Sequence, residues 1–372
     1  MKKFAFLAAS LALTAPVDAR VKSVTGEVDG FAVEVRSLIV GQTSTGTLAI
    51  GGDPIYLAPP STYSGVVAII STYAGVGSFI CSGTLLPDRR SILTAAHCVS
   101  DGAGTPGPTT TTVWFRDSTT VDPFYTAGTA IGVTDIFVNP GYTGEVIDHN
   151  DIAILRLGAE APAFTMSHYI SGLTDLTGVD FNVAGYGARS SIGGAEGTTA
   201  GTGPGRIRQG DNRFEYRLGD ADFGDLWNPL FSAAFGVTFT NIDYSWVSDF
   251  DNGLAANDAA CLINGHPVFA GLGLAGPKFC NTGRGATEVS VAGGDSGGPQ
   301  FDALGRVLSV TSYGMTFGPT YGDFRNGLES SWGEWNGFVS TAFHRDWILS
   351  IVPNAVIPEP GTWAMLIAGF GM

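Results

Sequence analysis

Three short runs hold residue types able to do covalent chemistry together: Leu93-Thr94-Ala95-Ala96-His97-Cys98, Asn150-Asp151-Ile152-Ala153-Ile154-Leu155 and Gly293-Gly294-Asp295-Ser296-Gly297-Gly298-Pro299. A serine hydroxyl is a poor nucleophile until a base takes its proton during attack, and a neutral imidazole has about the right proton affinity. A buried carboxylate then holds the imidazole in one tautomer and stabilises the cation that forms. One histidine, one aspartate and one serine supply these three parts. The glycines around Ser296 fit the same chemistry. Backbone amides there must point at a developing oxyanion, and a side chain at Gly294 would obstruct the tight turn.

In their order and local sequence these residues resemble the trypsin/chymotrypsin family of serine peptidases, over roughly residues 50–352. The resemblance implies His97 as general base, Asp151 as its orienting carboxylate, Ser296 as nucleophile and the amides of Gly294 and Ser296 as oxyanion hole. Cys81 and Cys98 stand at the spacing of the family's bridge near the histidine. Ala184-Gly185-Tyr186-Gly187 and Ser312-Tyr313-Gly314 are similar to two further family segments, the second implying substrate contacts, and Asp346-Trp347-Ile348 to the closing helix. By the same likeness Ser290 lies at the base of the primary pocket, so neutral, chiefly apolar side chains rather than Arg or Lys are expected before the cut bond. Glu288 is the nearest acid. An activating cut that frees an Ile α-amino group to pair with Asp295 has two candidate starts, Ile39-Val40-Gly41 and Ile50-Gly51-Gly52. The distance in sequence to Cys81 favours Ile50.

The chain also departs from the family. The stretch from Asp151 to Ser296 is long, which places an insertion of unassigned role within about 187–260. No cysteine stands just before Gly293, so the usual bridge beside the pocket is missing and that wall is less constrained. A rival reading takes Gly294-Asp295-Ser296-Gly297-Gly298 as the nucleophile elbow of an α/β-hydrolase, with Asp323 and His344 as partners. That elbow must open a helix, whereas Pro299 to Gly314 alternates like a hairpin with a turn near Asp302 to Gly305. His149, His168 and His266 have no motif around them and read as loop, solvated or satisfied residues. Asp249-Phe250-Asp251-Asn252-Gly253 lacks the twelve-residue Ca²⁺ pattern and reads as an Asx turn. No metal or organic cofactor is implied.

Positioning such a site requires strands. Short apolar or alternating runs at 66–70, 78–81, 91–94, 112–115, 152–155, 181–184 and 307–310 lie between turn signals such as Asn139-Pro140-Gly141 and Asn252-Gly253. Many short strands without long helices between them favour an antiparallel architecture. The expected class is all-β, two antiparallel β-barrels of chymotrypsin type with a C-terminal helix; barrel 1 covers about 50–165 and barrel 2 about 176–352. The spacing of Val339, Phe343, Trp347, Ile348 and Ile351 predicts that helix over 339–351, stopped by Pro353. Gly187 to Gly205 is almost all small residues and reads as a long mobile loop.

Composition narrows the setting. With 372 residues, 44% of them hydrophobic, the chain can bury a substantial core, and a net charge of −15 repels phosphate backbones and excludes nucleic acid as partner. Lys2 and Lys3, the apolar run Phe4–Ala15 and the small-residue site at Val17-Asp18-Ala19 read as an export signal over 1–19, leaving 20–49 as an N-terminal segment or propeptide. The four Cys then suggest two bridges in an oxidising compartment, with three pairings open on the residues alone. The family likeness pairs Cys81 with Cys98 and leaves Cys261 with Cys280. Residues 353–372 form a tail in which Ile357-Pro358-Glu359-Pro360-Gly361-Thr362-Trp363-Ala364-Met365 resembles the PEP-CTERM sorting signal of Gram-negative bacteria. The pattern is incomplete, because its apolar stretch is about half the ~20 residues needed to span a bilayer and no basic end follows. The reading is an exported serine endopeptidase acting on protein or peptide through an acyl-enzyme, periplasmic, surface-bound or secreted. Its competitors are a catalytically silent homologue serving as a binding module and an esterase using the same triad.

Overall fold

Runs rich in β-branched residues and punctuated by glycine and proline form nineteen strands among the described residues. The computed structural model describes residues 23–28, 31–36, 39–47, 49, 51–102, 105–116 and 128–357. The expected export signal, Ile50 and the Pro358-Glu359-Pro360 tail lie outside them. No described helix is long and apolar enough to cross a membrane.

The strands in chain order begin with β1 (Ser23–Val28), β2 (Phe31–Arg36), β3 (Val40–Gly41), β4 (Val66–Tyr73), β5 (Gly77–Leu85) and β6 (Ser91–Thr94). There follow β7 (Ser100–Gly102), β8 (Thr105–Pro106), β9 (Thr110–Phe115), β10 (Thr129–Val138), β11 (Ala153–Leu157), β12 (Asp180–Gly185) and β13 (Arg208–Arg213). The last are β14 (Tyr216–Arg217), β15 (Ser245–Phe250), β16 (Val289–Ser290), β17 (Pro299–Phe301), β18 (Val307–Thr316) and β19 (Glu334–Ser340).

Strands β10, β11, β6, β5, β4 and β9 close into a barrel in that order. Its interior is filled by Val67, Ile69, Leu85, Ile92, Val113 and Leu155, all fully buried. The second unit is a nine-stranded half-barrel sheet whose main path runs β13-β12-β17-β18-β19-β15-β14. The hairpin β1–β2 joins this sheet through β18. Two antiparallel β units and a terminal helix are the architecture expected from the sequence.

Two elements differ from expectation for identifiable reasons. The helix covers only Arg345–Ile351, because Val339 belongs to β19, where every residue is buried and period 2 wins over period 3.6. Gly187 to Gly205 is an ordered loop: Ser190 and Gly201 form a β-bridge, and Arg189 donates to the carbonyls of Thr202 at 2.7 Å and Gly203 at 3.0 Å. Its small residues serve close packing rather than freedom. Within the span 187–260, β13 and β15 are sheet strands, and what lies between them includes the helix Trp227–Phe235. That helix brings Trp227, Leu230 and Phe231 into an aromatic core with Phe269 and Trp335; the Trp227 and Phe269 rings are 4.5 Å apart.

Both disulfides form as expected, Cys81–Cys98 and Cys261–Cys280. The second ties a segment otherwise held by short helices, with 19 residues of sequence separation. Cys261→Ser together with Cys280→Ser should lower the unfolding free energy by about 3 kcal/mol through the freed loop. Urea unfolding of the double variant checks this, and an unchanged midpoint would contradict it.

Candidate functional site

The register of one strand pair assembles the first two side chains. Thr94 of β6 faces Ala153 of β11 in an antiparallel pair, so residues after Thr94 and before Ala153 emerge at the same end of the barrel. His97 lies in the turn Ala96–Cys98 and Asp151 just ahead of β11. His97 Nδ1 is 2.7 Å from Asp151 Oδ2, and the His97 amide donates to Asp151 Oδ1 at 2.8 Å. Ser312, on β18 of the other unit, donates its hydroxyl to the same Asp151 Oδ2 at 2.5 Å. Burial alone would raise the Asp151 carboxyl, but the His97 charge and the hydrogen bonds from His97 and Ser312 outweigh it and hold the carboxyl below its ordinary range.

Ser296 occupies the loop between β16 and β17. The loop is fixed to both units: the Gly297 amide donates to Thr311 O at 2.8 Å and the Ser82 amide to Ser296 O at 2.8 Å. Ser82 Oγ donates to Gly294 O at 2.9 Å and accepts from the Tyr186 amide at 2.9 Å. Nothing in the sequence singles out Ser82 beyond its place beside Cys81. Cys98 Sγ lies 3.7 Å from the Ser296 carbonyl oxygen and 3.9 Å from His97 Nε2, so the Ser296 loop and the imidazole meet at this sulfur. Ser296 Oγ is buried and has no hydrogen-bond partner among the described residues. Gly294 has φ +105°, a conformation L side chains rarely adopt, which is the turn the sequence reading required of it.

Asp295 points away from this face into a fully buried pocket. It accepts from the amides of Gly187 at 2.7 Å and Ala292 at 2.8 Å, and from the amide of Ile39. A Cβ on Gly187 would stand 2.5 Å from the Asp295 carboxyl carbon, so glycine is needed there for close approach. Burial pushes the Asp295 carboxyl up to about 7, with the amide hydrogen bonds from Ala292, Gly187 and Ile39 opposing it.

Of the residues expected at the substrate pocket, Ser290 is buried and donates to Asn336 Oδ1 at 2.8 Å. Asn336, which the sequence did not reveal, also accepts from the Val291 amide at 3.0 Å. Tyr313 is buried and its hydroxyl meets Ser245 Oγ at 2.7 Å, while Gly314 lies on the β18 edge that β2 pairs with. Glu288 takes the amide of Asp251 at 3.0 Å and the amide of Arg284, and is spent on that loop. Asp323 and His344, the partners of the hydrolase reading, bond instead to Thr316 and Asn139. Asp251 and Asn252 accept from the amides two residues on, forming the expected Asx turns. Two described side-chain sets converge as metal ligands do. Cys81, His97 and Cys98 are taken up by the disulfide and Asp151; in the set Asp323, Glu329 and Glu334, Glu334 is saturated by the amides of Glu329, Ser330 and Ser331.

Residues 56–203 match the family model described as Trypsin. The match spans His97 and Asp151 and supports a serine peptidase of trypsin/chymotrypsin type. The two-unit β architecture is consistent with the chymotrypsin-like fold. No curated protein matches the chain.

A carboxyl whose folded pKa is raised contributes stability that is complete below its unfolded pKa of about 4 and is lost as pH rises through the folded value. Asp295 and Asp251, both pushed up to about 7 by burial, and Asp258, pushed to about 6, act in this same direction. The urea midpoint of the chain should therefore fall between pH 5 and pH 8, and Asp295→Asn should flatten part of the fall. A midpoint rising over that interval would contradict the assignment.

Proposed function

We propose that this chain is an exported serine endopeptidase of a Gram-negative cell envelope, cutting peptide bonds through an acyl-enzyme on Ser296, with the Pro358-Glu359-Pro360 tail as sorting signal. The observation that carries the reading is the buried Asp151 carboxylate, which receives His97 Nδ1 from one β unit and Ser312 Oγ from the other. An Asp held this way fixes the imidazole with Nε2 turned outward and stabilises its protonated form. In the reaction His97 Nε2 takes the Ser296 proton as Oγ attacks the carbonyl, and the amides of Gly294 and Ser296 receive the oxyanion. His97 then protonates the leaving amine, and water resolves the acyl-enzyme by the same steps in reverse. Ser290 and Asn336 give the primary pocket a neutral polar floor, so cleavage follows neutral, chiefly apolar residues.

Activation is proposed at the Leu38–Ile39 bond rather than before Ile50, because the Ile39 amide already reaches Asp295. Hydrolysis there adds water across the bond, leaving a carboxylate on Leu38 and an ammonium on Ile39. That ammonium meets the buried Asp295 carboxyl and converts a costly lone acid into an ion pair.

Ser296→Ala, His97→Ala and Asp151→Asn should each reduce kcat/KM on casein by at least about a thousandfold, non-additively because the three act as a unit. Fluorophosphonate should label the active form and not Ser296→Ala. Casein turnover by Ser296→Ala at the parental rate would sink the assignment, and dominant cleavage after Arg or Lys in a peptide library would refute the pocket reading. N-terminal sequencing of the active form should begin at Ile39.

A further inference from the structure

We infer that β2, with its hairpin partner β1, is a built-in occupant of the substrate groove, held there by the helix Trp227–Phe235, so that the site is closed by its own chain until this hairpin leaves. The inference rests on the peptidase reading and concerns regulation of that site.

Strand β18 leaves the triad at Ser312 and continues through Gly314, Met315 and Thr316. One edge of it is covered by β19, and the other is covered by β17 only as far as Val310. Beyond that point the free edge is where an extended peptide reaching Ser296 would add as an antiparallel strand. In this structure β2 takes that edge, with Arg36 opposite Gly314, Val35 opposite Met315 and Glu34 opposite Thr316. The strand therefore runs toward Ser312, and three residues after Arg36 the chain is at Asp295, next to the nucleophile. His97, Asp151 and Ser296 are all buried in this arrangement, between 2% and 4% exposed.

The grip comes from the segment whose role the sequence left open. Val33 and Val35 are buried in the same cluster as Trp227, Leu230, Phe231 and Ala234. On the partner strand β1, Gly26 passes so close to the helix that a Cβ would stand 2.0 Å from the Ala234 carbonyl oxygen. Only a glycine permits that approach. Hairpin and helix thus account for each other: the helix offers an apolar face, and the hairpin supplies the side chains that cover it. A strand tethered this way competes at an effective concentration on the order of millimolar, which micromolar substrate does not displace. Cleavage at Leu38–Ile39 alone would leave the hairpin bound by these apolar contacts, so cutting and opening are separate steps.

The test uses the full chain carrying Ser296→Ala and a fluorescent peptide of residues 31–38 as probe, read by anisotropy. Gly26→Val, which lifts the hairpin from the helix, should strengthen apparent probe affinity at least about tenfold over the parent, as the open fraction rises. Val35→Asp, which places a carboxylate among buried apolar groups, should do the same by another route and serves if Gly26→Val fails to fold. Equal affinity in parent and variants overturns the inference. Fluorophosphonate labelling of the Ser296 chains after cleavage at Leu38–Ile39 reads the peptidase assignment separately: its failure in every cleaved variant would refute that assignment while the binding comparison still decides occupancy.

Discussion

A carboxyl group buried without a cation is the constraint around which the second unit is arranged. Asp295 is fully enclosed and, among the described residues, satisfied only by amides, from Gly187, Ala292 and Ile39. Glycine at 187 is required for those amides to come near enough, and the short pair β3–β16 holds Val40 opposite Ser290, bringing the chain before it to the acid. Since Asp295 is adjacent to Ser296, whatever happens to this carboxyl is felt at Ser296. An amide is a neutral partner for it; an ammonium would be a charged one, and the difference is of the size that decides between two loop conformations.

The two units divide the remaining work. The closed barrel supplies His97 and Asp151 from adjacent strands, a rigid base on which their geometry follows from strand register. The sheet supplies Ser296 and Ser312 from a loop and a strand joined by the Gly297–Thr311 hydrogen bond. Ser82 and Cys98 stitch the two at the point of contact, each touching the loop that carries Ser296. Neither unit alone contains the site, so its precision depends on their docking.

Much of this was legible in the sequence because the informative residues are local. The three motif runs, the cysteine spacing and the apolar strands of the barrel each declare themselves within a few positions, and all of those strands form. Strand β13 was invisible for a physical reason. Its sequence Arg208-Gln209-Gly210-Asp211-Asn212-Arg213 has no apolar face, and its inward positions are polar groups satisfied at long range: Arg208 by the carbonyls of Thr45 and Gly46, Asn212 by those of Asp249 and Val289. Hydropathy cannot show a side chain whose partners lie in distant segments. The choice between Ile39 and Ile50 was not decidable on similar grounds, since counting residues to Cys81 says nothing about which amide reaches Asp295. The loop at 187–205 looked unstructured because glycine and serine carry no burial signal, although their backbones are well bonded.

The hairpin β1–β2 is near the start of the chain, and the strand it joins is near the end. Local pairing of β1 with β2 needs no other part of the protein, but docking waits until β18 has been synthesised and laid into its sheet. Contacts of such sequence separation form late, after the loop entropy of nearly the whole chain has been overcome. The edge is thus complete before the hairpin docks, and docking is among the last steps. On the inference drawn above, the first folded product is a chain whose groove edge is already taken by its own hairpin.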